Sequence, residues 1–113
     1  MAWRKKNNST PTSDLPHLSR KEVLILEMLV SNGRELYGLE MVEASNGELK
    51  RGTIYVTLQR MQEKGFIDSK QEARIAPEIG IPRRLYRITG SGQRVFAAYQ
   101  AAWAILQAEP VRI

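Results

Sequence analysis

The chain has no cysteine and a single histidine, His17, among its 113 residues. Disulfides, thiolate nucleophiles and cysteine-ligated metals are therefore excluded, and one histidine cannot form a histidine metal cluster. No apolar run approaches the roughly 18 residues that a membrane span requires, and no hydrophobic signal segment follows the basic N-terminus. We therefore expect a soluble cytoplasmic protein that uses neither a metal nor another cofactor and does not enter a membrane.

Recognisable catalytic motifs are also missing from the sequence. Ser91 lies in a Gly-Ser-Gly segment, but a nucleophilic serine needs a histidine partner, and the segment is better explained as the turn that starts a helix. Glu35, Glu40 and Glu43 follow helical spacing, which is typical of a solvated face. No glycine-rich phosphate-binding or dinucleotide-binding motif is present. The sequence therefore predicts that the protein is not an enzyme.

The positive charge of the chain is unevenly distributed. With 42% hydrophobic and 26% charged residues, the composition is that of one globular domain with a single core. The net charge is +5, but residues 18–49 carry −3 and residues 50–94 carry +6. Such a basic segment indicates a surface for a polyanion, although a solvated basic surface explains the same charge.

Helix and strand signals predict three helices, a β-hairpin and a fourth helix. Ser19 and Glu22 form a capping-box pattern at the start of the first helix. The later predicted elements are a helix from Leu36 to Ser45, a helix over about 51–64, strands over 66–72 and 84–88, and a helix from Thr89 to about Gln107. The fold class that follows is α+β, mainly α: a winged helix-turn-helix with an additional C-terminal dimerisation helix. We divide the chain into a flexible basic arm (1–17), the winged-helix domain (18–89) and the dimerisation helix with its tail (90–113).

The third helix has two different faces. Ile54, Leu58 and Met61 recur at helical spacing and define a buried stripe. The opposite face carries groups that can bond bases or phosphates in a major groove, although an ordinary solvated face carries the same residue types. The residues of this face are Thr53, Val56, Thr57, Arg60 and Lys64.

Phosphate contacts are predicted on either side of this helix. Lys50 and Arg51 lie at its start, where backbone N–H groups also favour phosphate. Tyr37 and Tyr55 either reach a phosphate through the hydroxyl or pack at the edge of the core. Cations of a wing, here about residues 70–84, usually follow the DNA backbone or enter the minor groove. The wing cations are Lys70, Arg74, Arg83 and Arg84.

Two apolar surfaces predict a homodimer. From Val23 to Val30 every residue except Glu27 is apolar, which is more than one small domain is expected to cover. The last helix carries a seam of the coiled-coil type, although a core stripe explains the same spacing. A two-fold axis would place two recognition helices about 34 Å apart and predicts an inverted-repeat operator. The predicted interface residues are Leu24, Ile25, Met28, Phe96, Tyr99, Trp103 and Leu106.

Four segments in order resemble the PadR-like transcriptional regulators. They are Tyr37-Gly38, Gly52-Thr53-Ile54-Tyr55, Glu63-Lys64-Gly65-Phe66-Ile67, and Arg84-Leu85-Tyr86-Arg87-Ile88-Thr89 with Gly92. The resemblance covers roughly residues 18–107. It implies a winged-helix DNA-binding domain, a dimer and usually repression, and it favours a phosphate contact for Tyr55. Val56-Thr57 departs from the family, where a proline and a small residue often follow the tyrosine, and the single C-terminal helix resembles the short members.

The leading hypothesis is a homodimeric repressor that binds double-stranded DNA. One alternative is a winged-helix adaptor that docks proteins without reading DNA, or a modifier of circadian timing like the period-extender group among the short members, without ligand control. An RNA-binding module lacks the exposed aromatic platform that single-strand recognition prefers. A small-molecule effector remains open, with a planar ligand beside Trp103 as one form of it.

Overall fold

The computed structural model of the chain describes residues 17–33, 35–75 and 82–107, without the side chains of residues 73–75 and 82. Most of the predicted arm (1–16) and the tail after Gln107 lie outside these described residues. The elements are α1 (Arg20–Asn32), β1 (Leu36–Tyr37), α2 (Gly38–Ala44), α3 (Ile54–Glu63), β2 (Ile67–Ile75), β3 (Pro82–Ile88) and α4 (Gly90–Gln107). Four helices and a three-stranded antiparallel sheet confirm the predicted fold class.

The start of α1 lies where its capping pattern predicts. The Ser19 hydroxyl accepts a hydrogen bond from the backbone N–H of Glu22 at 3.2 Å, and the Glu22 carboxylate accepts one from the Ser19 N–H at 2.9 Å. These reciprocal bonds satisfy two N–H groups that the first turn leaves without a helical partner. Gly33 ends the helix with a φ of 62°, a left-handed conformation that glycine adopts without strain.

The segment before α2 differs from the prediction. Leu36 and Tyr37 form the short strand β1, paired with Tyr86 and Leu85 of β3, and the helix begins only at Gly38. The apolar spacing that includes Leu36 suits a helix, but the free edge of β3 offers backbone partners to this segment. A pairing between positions so far apart in sequence is not visible in local periodicity.

The sheet has the order β1-β3-β2, and the β2–β3 hairpin is the wing. Its strands pair in register from Ile67 opposite Ile88 to Gln71 opposite Arg84, with an irregularity before Ile75 pairs with Pro82. Both strands extend beyond their predicted ends. The connecting residues 76–81 lie outside the described part of the chain.

The core lies between α1, α3 and the sheet. Ile54, Leu58 and Met61, the predicted stripe of α3, are each at most 1% exposed. α3 itself begins at Ile54, because residues 51–53 form a turn rather than its first helical residues. With one face of α3 buried along its length, the opposite face is left to solvent.

The first helix, which was predicted to contribute to a dimer interface, is covered mainly by its own chain. Ile25 is fully buried, Met28 is 9% exposed and Phe96 is 5% exposed, all within the core of one chain. Leu24 and Tyr99 are partly buried against the same core. Ile25, Met28 and Phe96 have almost no surface to offer a second subunit in this single chain, so we leave them out of the dimer interface that we propose.

The helix α4 is joined to the C-terminal end of α3 by Thr89. Its hydroxyl accepts from the Gly92 N–H at 3.0 Å, which caps α4 as predicted, and donates to the Gly65 carbonyl at 2.7 Å. A Cβ on Gly92 would overlap the Phe66 carbonyl oxygen and lie 2.7 Å from Ile88 Cγ1. Glycine is therefore required for α4 to lie this close to Phe66 and Ile88.

Two halves of α4 can be distinguished by their surroundings. The seated half, Gly90–Tyr99, includes Gly92 and Phe96, which are buried. In the exposed half, Gln100–Gln107, every residue is exposed in the single chain.

Within the described residues, no helix is long and apolar enough to cross a membrane.

Candidate nucleic-acid interface

The solvent face of α3 presents most of the residues predicted to face DNA. Thr53, Val56 and Arg60 are exposed, with Val56 at 58%. Thr57 is partly buried, and its hydroxyl donates to the Thr53 carbonyl at 3.3 Å. The structure thus brings hydroxyl, methyl and guanidinium groups together on one face of a helix whose other face is anchored in the core. A recognition helix that lies in a major groove needs this division.

Lys64 lies at the end of α3 and is bound within the chain. Its ammonium is 2.7 Å from the Glu22 carboxylate and donates to the His17 carbonyl at 3.4 Å. Burial alone would raise the pKa of Glu22, but hydrogen bonds from Lys64 and Ser19 outweigh it, so this pKa lies below its ordinary value. Because the ammonium of Lys64 compensates a buried carboxylate, we leave Lys64 out of the DNA surface proposed below.

Lys50 and Arg51 lie just before α3, where they were predicted. Both are exposed. The Lys50 carbonyl accepts hydrogen bonds from the N–H groups of Thr53 at 3.2 Å and Ile54 at 2.9 Å. These bonds turn the backbone into α3 and leave both cationic side chains beside its positive N-terminal end.

Tyr55 both packs against the protein and reaches solvent. It is 48% exposed. Its ring lies over the start of α2, since a Cβ on Gly38 would be 2.8 Å from Tyr55 Cε1 and 3.2 Å from the hydroxyl oxygen. Gly38 therefore leaves room for the ring, and the two alternatives for Tyr55, core edge and phosphate contact, are compatible in this geometry.

Tyr37 belongs to a cluster on the other face of the sheet. It pairs with Leu85, so its side chain lies on the face of the sheet opposite to the one that carries the buried Tyr86. Its hydroxyl donates to the Glu72 carboxylate, and the Arg83 guanidinium carbon lies 5.3 Å from the ring centroid, within cation–π range. The bond to Glu72 is the main reason that the pKa of Tyr37 is raised. Since its hydroxyl has an internal partner, we also leave Tyr37 out of the proposed DNA surface.

Arg84 of β3 is bonded through its side chain to β2 and, through Ser69, to α3. Its two terminal nitrogens donate to the Ser69 hydroxyl at 2.9 Å and to the Gln71 side-chain oxygen at 3.3 Å. Ser69 is fully buried and donates in turn to the Gln62 side-chain oxygen at 2.7 Å. Sequence reasoning missed Gln62, Ser69 and Glu72. Only Glu72 carried a sequence signal, as one of two acidic residues among the cations of the predicted wing.

The structure describes the remaining wing cations in less detail. Arg83 is exposed on β3, and Lys70 is partly buried on β2 opposite Leu85. Arg74 lies in β2, but its side chain is outside the described part of the structure.

A winged helix with a polar recognition helix and a basic hairpin defines a class of DNA-binding transcription regulators. Residues 25–98 match the PadR-like family of transcriptional regulators, and the chain belongs to this family. This confirms the predicted resemblance. PadR-family members are transcriptional regulators and not enzymes, so the prediction of no enzymatic activity is also confirmed.

Solved structures agree with this assignment. The chain is similar to a PadR family transcription regulator from Clostridium difficile R20291, with 26% identity, a TM-score of 0.63 and coverage of 75% of this chain and 88% of that one. It is also similar to a PadR family regulator from Eggerthella lenta, with 27% identity, a TM-score of 0.61 and coverage of 77% of each chain. No curated protein matches the chain.

Proposed function

We propose that the protein is a homodimeric transcriptional repressor that binds an inverted-repeat operator in double-stranded DNA. The observation that carries the proposal is the exposed face of α3, where Thr53, Val56 and Arg60 stand opposite a fully buried stripe. Membership in a family of DNA-binding regulators supports it. Repression is the usual activity that the resemblance implies.

The proposed DNA surface divides into base and phosphate contacts. Arg60, with Thr53, Val56 and Thr57, faces the major groove, where a guanidinium can bond a guanine by two hydrogen bonds. The cations beside α3 and on the wing bind phosphates, which fix position without reading sequence. We assign this second role to Lys50, Arg51, Lys70, Arg74, Arg83 and Arg84, together with Tyr55.

The exposed half of α4 supports a dimer. Trp103, Ile105 and Leu106 are 52%, 75% and 76% exposed, an unusual concentration of large apolar side chains on the surface of one short segment. Trp103 and Leu106 extend the seam that begins at Phe96 and Tyr99. Contact with a second copy would remove this area from water.

A groove beside the seated half of α4 offers a place for this contact. It has a volume of about 490 Å³ and lies between α1, β3 and α4, where Leu29, Val30, Phe96 and Ala97 contribute apolar surface. In an antiparallel pair of α4 helices around a two-fold axis, the exposed half of one copy meets the groove of the other. The proposed interface therefore keeps Leu24, Tyr99, Trp103 and Leu106 and adds Val30.

Binding to DNA from upstream of the protein's own coding region tests the proposal most directly. In a gel-shift titration, we expect this fragment to bind more tightly than an unrelated duplex of equal length, in a complex that contains two protein chains. If neither duplex binds at low salt, the alternative of a protein-docking adaptor replaces the DNA-binding proposal. Equal binding to both duplexes would show that the protein has no preference for this DNA, and would contradict the proposed operator.

A further inference from the structure

A chain of hydrogen bonds connects the wing with the recognition helix. It runs from Arg84 to Ser69 at 2.9 Å and from Ser69 to Gln62 of α3 at 2.7 Å. A third bond joins Arg84 to Gln71 of the neighbouring strand at 3.3 Å. These contacts use two of the five N–H groups that a guanidinium can donate, so other N–H groups of Arg84 can bond an oxygen from outside.

These hydrogen bonds lie on the side of the wing that is turned toward α3. Ser69 pairs with Tyr86 across the sheet, and both are buried. Burial raises the pKa of Tyr86 to about 12, in agreement with its position on the buried face of the sheet.

We propose that Ser69 and Gln62 are positioning residues that hold the Arg84 side chain on the α3 side of the wing, where its guanidinium binds one phosphate of the DNA backbone. This inference rests on the proposed DNA-binding function. An arginine side chain loses much rotamer freedom when it is ordered, and a side chain ordered before binding loses less on contact with its ligand. Gln62 also ties the position of this phosphate contact to the recognition helix.

A double-mutant cycle between Ser69 and Arg84 tests the inference. Binding of the labelled upstream duplex is measured by fluorescence anisotropy at several salt concentrations for wild type, Ser69→Ala, Arg84→Gln and the double variant. Arg84→Gln should weaken binding and reduce the slope of log K against log salt by about 0.9, the contribution of one phosphate contact. Ser69→Ala should weaken binding by about 2- to 10-fold and have no further effect once Arg84 is Gln.

Two more variants separate positioning from a general loss of structure. Ser91→Ala removes another serine–arginine bond, the one from Arg94 at 3.3 Å in α4, and should leave the affinity unchanged. Gln62→Ala keeps Ser69 but removes its hydrogen-bond partner on α3. Its effect on DNA affinity should therefore also vanish in the Arg84→Gln background.

The outcomes of the cycle are distinct. If wild type binds DNA but Ser69→Ala weakens binding equally with and without Arg84, the role of Ser69 is structural and the inference is wrong. If Arg84→Gln leaves affinity and salt slope unchanged, Arg84 does not contact phosphate. If wild type binds no duplex, the proposed function fails first and the inference fails with it.

Discussion

The helices α3 and α4 divide their surfaces between the core and the outside in different ways. α3 is divided lengthwise, since Ile54, Leu58 and Met61 are buried along one face while Val56 and Arg60 are exposed on the other. α4 is divided crosswise into a seated half and an exposed half. The face of α3 that a residue occupies therefore decides whether it serves the fold or a partner. In α4, the position along the helix decides it.

The largest expected effect comes from the seated half of α4. We expect Gly92→Ala to destabilise the domain by about 3 kcal/mol or more, because the new Cβ would overlap a backbone carbonyl and lie 2.7 Å from Ile88 Cγ1, and the backbone gives way less easily than a flexible side chain. Gly90→Ala is the matched control, since its Cβ would lie 3.5 Å from the end of the flexible Arg94 side chain. Urea unfolding followed by circular dichroism measures both. Equal stability of the two variants would contradict the close packing of α4.

Trp103→Ala tests the exposed half of α4. We expect dimerisation to weaken by about 2–4 kcal/mol, because a large aromatic side chain at the centre of an interface is typically a dominant contact. The unfolding of the monomer should change little. Sedimentation equilibrium at micromolar concentration measures the association, with Leu39→Ala, a 37% exposed residue of α2, as control. A wild-type monomer, or a Trp103→Ala dimer of unchanged affinity, would remove this helix from the interface.

Arg60→Ala tests the outer face of α3. We expect a loss of about 1–3 kcal/mol in operator binding and a weaker preference for the operator over random DNA, because a base contact is lost. Stability should be unchanged, as expected for an exposed side chain. Arg83→Ala is the comparison: it should weaken all duplexes alike and reduce the salt slope by about one. If Arg60→Ala weakens operator and random DNA equally, Arg60 does not read bases.

The smallest effect concerns the buried link between α1 and the end of α3. Glu22 has a pKa below 4.5 because of Lys64 and Ser19, so its contribution to stability is present above that pH and is lost as the pH falls through the lowered pKa. We expect Glu22→Gln to cost about 1 kcal/mol at neutral pH and the difference from wild type to shrink in acid. Urea unfolding at pH 3–7 measures this, and Glu27→Gln, an exposed change of equal charge on α1, is the control that should cost less than Glu22→Gln at neutral pH.

The local features of this fold could be predicted from the sequence. The Ser19 cap with Glu22, the Thr89 cap and the buried stripe of α3 depend on residues three or four positions apart, and each lies where its pattern predicts. The strand at Leu36 could not be predicted in the same way, because its partner Tyr86 is distant in sequence.

The division of α4 also lies beyond the sequence pattern. The apolar seam Phe96, Tyr99, Trp103 and Leu106 has the same spacing in both halves of the helix, but only Phe96 is buried and Tyr99 partly buried in the single chain. Periodicity identifies an apolar stripe and does not reveal how far the core of the domain extends along it. The contacts of Ser69 depend in the same way on hairpin register, which no short-range pattern specifies.

The joint at Thr89 has a consequence for the spacing of the operator. Its hydroxyl and its N–H donate hydrogen bonds to the carbonyls of Gly65 and Phe66, shortly after α3. The proposed dimerisation helix α4 therefore begins beside the end of the proposed recognition helix α3. In a dimer built this way, the two recognition helices cannot turn independently to follow the DNA. One added base pair between the half-sites moves the second site by about 3.4 Å and turns it by about 35°, a change that such a dimer can follow only by bending the DNA.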